Sequence, residues 1–288
     1  MPFACIHTHT NFCDGSDDVE TFCRSAHAKG LHSLGFSAHA PITGKTGIKS
    51  VWNLPEDRLT DYLESVQAAK KKWEGRLRIF LGLEVDFLEN CMGPSDRDYA
   101  DMRLDFIIGA VHFVVPPKGE PFTVDDSAET VLRGIKDGYG NDPQAMVMAY
   151  FEAEEAMIRS GGFDLLGHPD LVKKNNSGGL LFSEDSDHYR GRTASIAALS
   201  AAAGIHAEIN TGGINRGKIK DCYPSFAFLK LFRKHGVPMV INADAHRAED
   251  LDGHYDTARE SLLAAGYTQT ALFNGRESGR PCWTNINL

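Results

Sequence analysis

The sequence has no apolar run long enough to span a membrane, and its start lacks a basic segment followed by an apolar one. Neither a transmembrane helix nor a secretory signal is therefore expected. Cysteine is sparse. Cys5, Cys13, Cys23, Cys91, Cys222 and Cys282 form no C-x-x-C pair, which excludes a dense disulfide framework and fits reduced thiols in the cytoplasm. Cys13 lies close in sequence to candidate ligands but has no paired cysteine, so it is read as a bystander. Basic charge is also in short supply. With 30 Lys+Arg against 39 Asp+Glu, the formal net charge of -9 argues against the basic face of a general nucleic-acid binder. Phosphorylated small molecules are not excluded, because bound metal ions reverse the local charge of a site. No low-complexity tract, fixed-period repeat or Pro/Gly/Ser-rich linker divides the chain, so its 288 residues are read as a single domain, 1–288.

What is present is an alternation of short apolar runs with longer helix-like segments. The runs at 4–10, 33–39, 79–87, 106–115, 164–168, 206–211, 239–243 and 270–273 read as buried strands. Several intervening segments end in a glycine followed at once by an apolar residue, as in Lys29-Gly30-Leu31, Ala203-Gly204-Ile205, His235-Gly236-Val237 and Ala265-Gly266-Tyr267. Glycine accepts the left-handed conformation that stops a helix, after which the next strand begins. Such alternation predicts an α/β fold with parallel strands inside and helices outside. The polar stretches 41–53 and 173–191 read as long loops, candidate lids over a site.

The histidines follow this pattern. His7 and His9 stand two apart at the end of the first run, and side chains at i and i+2 of a strand share a face. His39 ends the second run, Glu84 and Asp86 lie near the end of the third, and His112 near the end of the fourth. His168 ends the fifth, and Asp244 and His246 follow the seventh. Successive strands thus deliver metal-type ligands at their C-terminal ends, where α/β barrels build active sites. A single strand-end histidine is more often a structural residue; the coincidence of several carries the reading. His27, His32, His188, His206, His235 and His254 fall outside the pattern and are read as structural or surface residues. Imidazole and carboxylate donors suit zinc, iron and manganese better than calcium. The candidate ligands His7, His9, Asp14, His39, Glu84, His112, His168, Asp244 and His246 exceed what one ion needs, and Glu84 has two oxygens with which to bridge.

These residues carry a family resemblance. His7-Thr-His9 with Asp14-Gly15, then Phe36-Ser-Ala-His39-Ala-Pro41, Gly82-Leu-Glu84-Val-Asp86, Gly109-Ala-Val-His112, Gly167-His168-Pro-Asp170 and Ala243-Asp244-Ala-His246 resemble the PHP (polymerase and histidinol phosphatase) superfamily. The Asn11-Phe12-Cys13-Asp14-Gly15 extension, the segment from Glu208-Ile-Asn210 to Arg216-Gly217, and Cys222-Tyr223-Pro224-Ser225 resemble its monofunctional histidinol-phosphatase branch. The resemblance implies a distorted (β/α)7 TIM-like barrel and a trinuclear metal centre. One ion would take His7, His9, Glu84 and Asp244. A second would share Glu84 and take His112 and His168. A third would take Asp14, His39 and His246. It further implies hydrolysis of a small phosphate monoester, L-histidinol phosphate, a step of histidine biosynthesis, with Glu84 and Asp244 at the reacting centre. Arg216 is the first candidate for a phosphate clamp, because guanidinium binds two oxygens at once; Lys173 is the second. No membrane or nucleic-acid partner is expected. Two other readings stay open: a relative acting on nucleotides or nucleic-acid ends, and a metal-binding protein without turnover.

Overall fold

The structure is a computed structural model that describes residues 3–43 and 46–288. Its centre is a sheet of seven strands: β1 (Ala4–Cys5), β2 (Ser33–His39), β3 (Arg78–Asp86), β4 (Phe106–Ala110), β5 (Leu165–Leu166), β6 (His206–Asn210) and β7 (Met239–Asn242). Spatial order follows chain order, and every pairing is parallel. The sheet curls into a nearly closed TIM-like barrel. A parallel bridge between Thr8 and Ala245 joins the last strand segment to the first, through His9 N–H to Ala245 O at 2.9 Å and Ala245 N–H to His7 O at 3.1 Å.

Parallel neighbours require crossovers, and helices supply them. Val19–Ala28 connects β1 to β2, Leu59–Lys72 connects β2 to β3, and Ala128–Tyr139 with Pro143–Ser160 connects β4 to β5. Asp187–Ala203 and Phe226–His235 serve the next two connections. Local sequence explains them. In the first, Val19, Phe22, Cys23 and Ala26 are buried at helical spacing, and the Asp18 side chain caps the start by accepting from Thr21 N–H. The Gly204 and Gly236 stops adopt φ of 67° and 76°, the left-handed caps expected from the sequence.

The apolar core has two layers, and alternation along a strand divides them. On β3, Leu81, Leu83 and Val85 face the helices, whereas Phe80 joins Ile6, Phe106, Ile108, Leu165 and Val240 inside the barrel. Gly82 leaves space for this plug: a Cβ there would stand 2.5 Å from the Phe106 ring. Two and four residues beyond Gly82 on the same inward face come Glu84 and Asp86. The barrel interior is therefore apolar at the N-terminal end and ionisable at the C-terminal mouth.

Three expected strands differ. The run 4–10 is a strand only at Ala4–Cys5, with an isolated bridge at Thr8, so His7 and His9 lie just past β1. The run 106–115 is not continuous: β4 ends at Ala110, and Phe113–Val114 turns away to pair antiparallel with Phe122–Thr123. The break lets His112 face the mouth while Phe113 packs against Trp52. The run 270–273 lies outside the barrel. It belongs to Gln269–Glu277, which pairs antiparallel with Arg280–Asn287. Ala271 and Phe273 of this hairpin pack onto the interior plug, so the apolar run was legible but its sheet was not. Within the loop read at 41–53, Gly44 and Lys45 lie outside the described residues. The polar stretch 173–191 begins inside the short helical turn Leu171–Asn175 and ends inside Asp187–Ala203. All six cysteines are free. Among the described residues, no helix is long and apolar enough to cross a membrane.

Candidate metal centre

The strand ends and the loops after them converge on Glu84, whose side chain is 1% exposed. Its Oε2 lies 3.2 Å from His7 Nε2, 3.4 Å from His9 Nε2 and 3.0 Å from His39 Nδ1. Its Oε1 lies 2.8 Å from His168 Nε2 and 3.7 Å from His112 Nε2. Asp244 Oδ1 reaches His9 Nε2 at 3.2 Å and His7 Nε2 at 3.7 Å. On the outer side, Asp14 Oδ2 lies 3.0 Å from His246 Nε2, and Asp14 Oδ1 lies 3.7 Å from both His9 Nδ1 and His39 Nε2. Every metal ligand expected from the sequence therefore belongs to one continuous cluster. Within it, His9, Asp14, His39 and His246 form a group whose donor atoms lie within 4.8 Å of one another. His7, Glu84 and His168 form a second such group, and His7, His9 and Asp244 a third.

Backbone geometry helps to assemble it. His168 and Asp244 both have positive φ, 21° and 48°, a conformation that costs a residue with a Cβ on the order of 1–3 kcal/mol. Each turns the chain just past its strand end and brings a side chain over the barrel axis. Gly212 makes room for one of them: a Cβ there would stand 2.7 Å from Asp244 Oδ2.

The cluster has the electrostatics of a cation site. Burial works against charge on His7, yet Glu208, Glu84 and Asp244 overcome it and raise its pKa well above the usual value. Burial likewise opposes ionisation of Glu84, but His7, His39 and His112 hold its carboxyl well below the usual range. Asp244 is held down against burial by Arg216 and His7. His9 moves the other way, to about 3, because burial and the neighbouring His39 and His246 disfavour its charge. The pocket thus keeps its carboxylates ionised and presents imidazole nitrogens among them. His7 Nε2, His9 Nε2, His39 Nδ1, His168 Nδ1 and Glu84 Oε2 are buried atoms with no hydrogen-bond partner among the described residues, and the first three stand around that same Glu84 oxygen. Each orphan costs on the order of 1–3 kcal/mol, a cost that coordination of a cation removes. Buried imidazole and carboxylate donors arranged this way fit divalent transition-metal ions.

Residues outside the expected set complete the centre. Glu208 is fully buried on the inward face of β6 and engages His7 Nδ1 through both oxygens, at 3.1 and 3.0 Å. It also accepts from His168 N–H at 2.9 Å, Asn210 at 2.7 Å and Asn242 at 2.9 Å. Asp86 Oδ1 lies 2.7 Å from His112 Nδ1. Such partners fix the tautomer and orientation of a ligating ring. Position i+2 from Glu84 was the available signal for Asp86. Glu208 stood in a segment singled out by resemblance, but nothing local linked it to His7, which is 201 residues away.

The proposed substrate contacts part company. Arg216 follows the short helix Gly212–Asn215 and lines an open cavity of about 400 Å³ above the cluster. Its Nη2 donates to Asp244 Oδ2 at 2.9 Å, and Nη1 lies 2.9 Å from His246 Nδ1. Lys173 does not line that cavity. It is 8% exposed, donates to Cys222 O at 2.9 Å and pairs with Asp170 at 3.1 Å; the 3₁₀ turn points it inward. Its neighbour Lys174 lines the cavity instead, paired with Asp125 at 3.0 Å. Histidines outside the strand-end pattern stay outside the cluster: His27 packs on Trp73 and His206 stacks on Trp283.

An α/β barrel with buried histidines and carboxylates gathered at its C-terminal mouth defines a metal-binding barrel protein. The chain belongs to the PHP domain family, whose domain matches residues 6–212. A Deinococcus radiodurans protein named "Probable histidinol-phosphatase" is 28% identical over 276 residues, covering 92% of this chain and 94% of the relative. A crystal structure from Listeria monocytogenes covers 88% of this chain and 99% of its own at 24% identity, with a TM-score of 0.78. The histidinol phosphate phosphatase of Lactococcus lactis, solved in complex with zinc, L-histidinol and phosphate, covers 96% of this chain and 99% of its own at 19% identity, with a TM-score of 0.68.

Proposed function

We propose that this protein is a metal-dependent phosphomonoesterase that hydrolyses L-histidinol phosphate to L-histidinol and inorganic phosphate. The observation that carries the reading is the convergence of five imidazoles on the two oxygens of Glu84, directly beneath a cavity lined by Arg216. The ligand named with the Lactococcus lactis relative and the name of the Deinococcus radiodurans relative point to the substrate.

We assign about three divalent ions, zinc, iron or manganese, because the donor set is large enough for that number of sites. His7, His9, Glu84 and Asp244 would hold one, and Glu84, His112 and His168 a second. Asp14, His39 and His246 would hold the third. The chemistry such ions supply when bound is activation of a water at neutral pH and neutralisation of phosphoryl oxygens.

The chain's own groups then divide the remaining work. Glu208 and Asp86 orient His7 and His112 from behind. Arg216 keeps Asp244 in place and has further N–H donors for a phosphoryl oxygen entering the cavity. Its charge is secure, since Asp244 outweighs burial and raises its pKa. The cavity remains open to solvent on one side, which admits a small ester and lets the alcohol leave.

Phosphate release from histidinol phosphate, a nucleoside monophosphate and a sugar phosphate, each with and without added metal, tests the proposal. Fastest metal-dependent release from histidinol phosphate is expected. Faster release from the nucleotide overturns the substrate and keeps the phosphoesterase. No metal-dependent release from any ester overturns the enzyme reading in favour of metal binding without turnover.

A further inference from the structure

Ions held by the cluster, together with Arg216, would address only the phosphoryl group, which all phosphate monoesters share. Selection among them must come from the remaining cavity wall. That wall contains Val51, Trp52, Thr123, Asp125, Asp126 and Lys174, and its acidic and aromatic members are not equivalent.

Asp125 is committed. Its carboxylate pairs with Lys174 Nζ at 3.0 Å, and its backbone carbonyl accepts from the same ammonium at 2.6 Å. Asp126 is exposed and has no ion-pair partner among the described residues. One of its oxygens accepts from Ser127 N–H, which holds the carboxylate while leaving the second oxygen available. An uncompensated carboxylate on the wall of a small cavity favours a cationic group there.

Trp52 is held rigidly. Its indole stacks on Phe113 with centroids 5.4 Å apart and planes 17° apart, and meets His39 edge-on at 4.8 Å. Those contacts fix a flat apolar surface beside the metal cluster before any substrate arrives. A preorganised aromatic wall favours a planar ring, in offset or edge contact.

We infer that Asp126 and Trp52 form the selectivity subsite, Asp126 reading the cationic amine of the substrate and Trp52 its planar ring. The inference rests on the histidinol phosphate reading and adds which residues enforce it. Asp125 is assigned the different task of keeping Lys174 in place. The loop carrying Trp52 precedes Leu59–Lys72 and the segment carrying Asp126 follows the Phe113–Val114/Phe122–Thr123 hairpin, so two separate excursions from the barrel would meet around one substrate.

The test uses four esters of the same chain length: histidinol phosphate, an analogue lacking only the amine, an analogue lacking only the imidazole, and propyl phosphate. kcat/KM is measured for the metal-loaded wild type, Asp126→Asn, Trp52→Ala and Trp52→Phe. Asp126→Asn should lower kcat/KM about tenfold, mainly through KM, for the two amine-bearing esters only, as loss of a charged hydrogen bond implies. Trp52→Ala should lower it for the two ring-bearing esters, with recovery in Trp52→Phe. Equal losses on all four esters would make both residues supports of the metal cluster and overturn the subsite, as would no loss on any. A wild type that cleaves propyl phosphate as fast as histidinol phosphate fails differently: it overturns the substrate itself.

Discussion

The Nδ1 of His7 and the carboxylate of Glu208 lie 3.0 Å apart in complete burial, joining the segment just past β1 to the middle of β6. Glu208 accepts at Nδ1, so the proton resides there and Nε2 is left to face Glu84 and Asp244. The same carboxylate accepts from His168 N–H, so one side chain orients a ligand of each of two proposed ions. Glu208→Ala should weaken metal binding by about 10–100-fold, and Glu208→Gln should weaken it less. Competition with a chelator measures this. Wild-type affinity in Glu208→Ala would reduce the contact to a packing interaction.

Glu84→Ala should abolish most turnover while leaving the barrel folded, since the apolar plug on the same strand is untouched. The expected loss exceeds about 100-fold, more than removal of an outer partner costs. His112→Ala should also lower turnover more than stability. Elemental analysis should find close to three ions in the wild type and fewer in Glu84→Ala. Near-native turnover in that variant would show that Glu84 does not bridge.

Arg216→Ala should lower kcat/KM by about one to two orders of magnitude, because a charge-assisted contact contributes about 1.5–3 kcal/mol. The bond from Nη2 to Asp244 Oδ2 at 2.9 Å adds a second effect, since Asp244 loses the guanidinium that holds it. Arg216→Lys keeps the charge without the fork and should recover part of the loss. Steady-state kinetics with metal content measured in parallel would separate the two effects. Unchanged kinetics would make Arg216 a structural ion pair only.

His206 gives a pH signature away from the metal cluster. Burial lowers its pKa from the usual 6.5 to about 4, and its ring stacks on Trp283 at 4.2 Å. The unfolded chain takes up this proton below about pH 6.5, whereas the folded chain resists it until about pH 4. Stability from this group is therefore present above the upper value and lost as pH falls through the window. His206→Phe should lose less stability than the wild type between pH 7 and pH 4, as read by urea unfolding. Parallel slopes for the two proteins would remove His206 as the cause.

The sequence by itself determined the alternation of strands and helices, the glycine stops, and the candidate ligands from His7 to His246 that the fold gathers into one cluster, because these depend on local periodicity and on residue type at strand ends. Periodicity says nothing about which sheet an apolar run joins, so 270–273 could not be separated from the barrel strands by pattern alone. Nor could it show that Val111 and His112 interrupt the run after β4, since the cause lies in contacts with Trp52 and Asp86 made across the fold. Lys173 was the lysine the sequence offered as a substrate contact, with Lys174 next to it. The 3₁₀ turn Leu171–Asn175 sends the first inward to Asp170 and the second out to the cavity. Glu208 was one acidic residue among 39; closure of the barrel put it behind His7. Burial then made that placement consequential, because a carboxylate without water must be satisfied by the groups the fold brings to it.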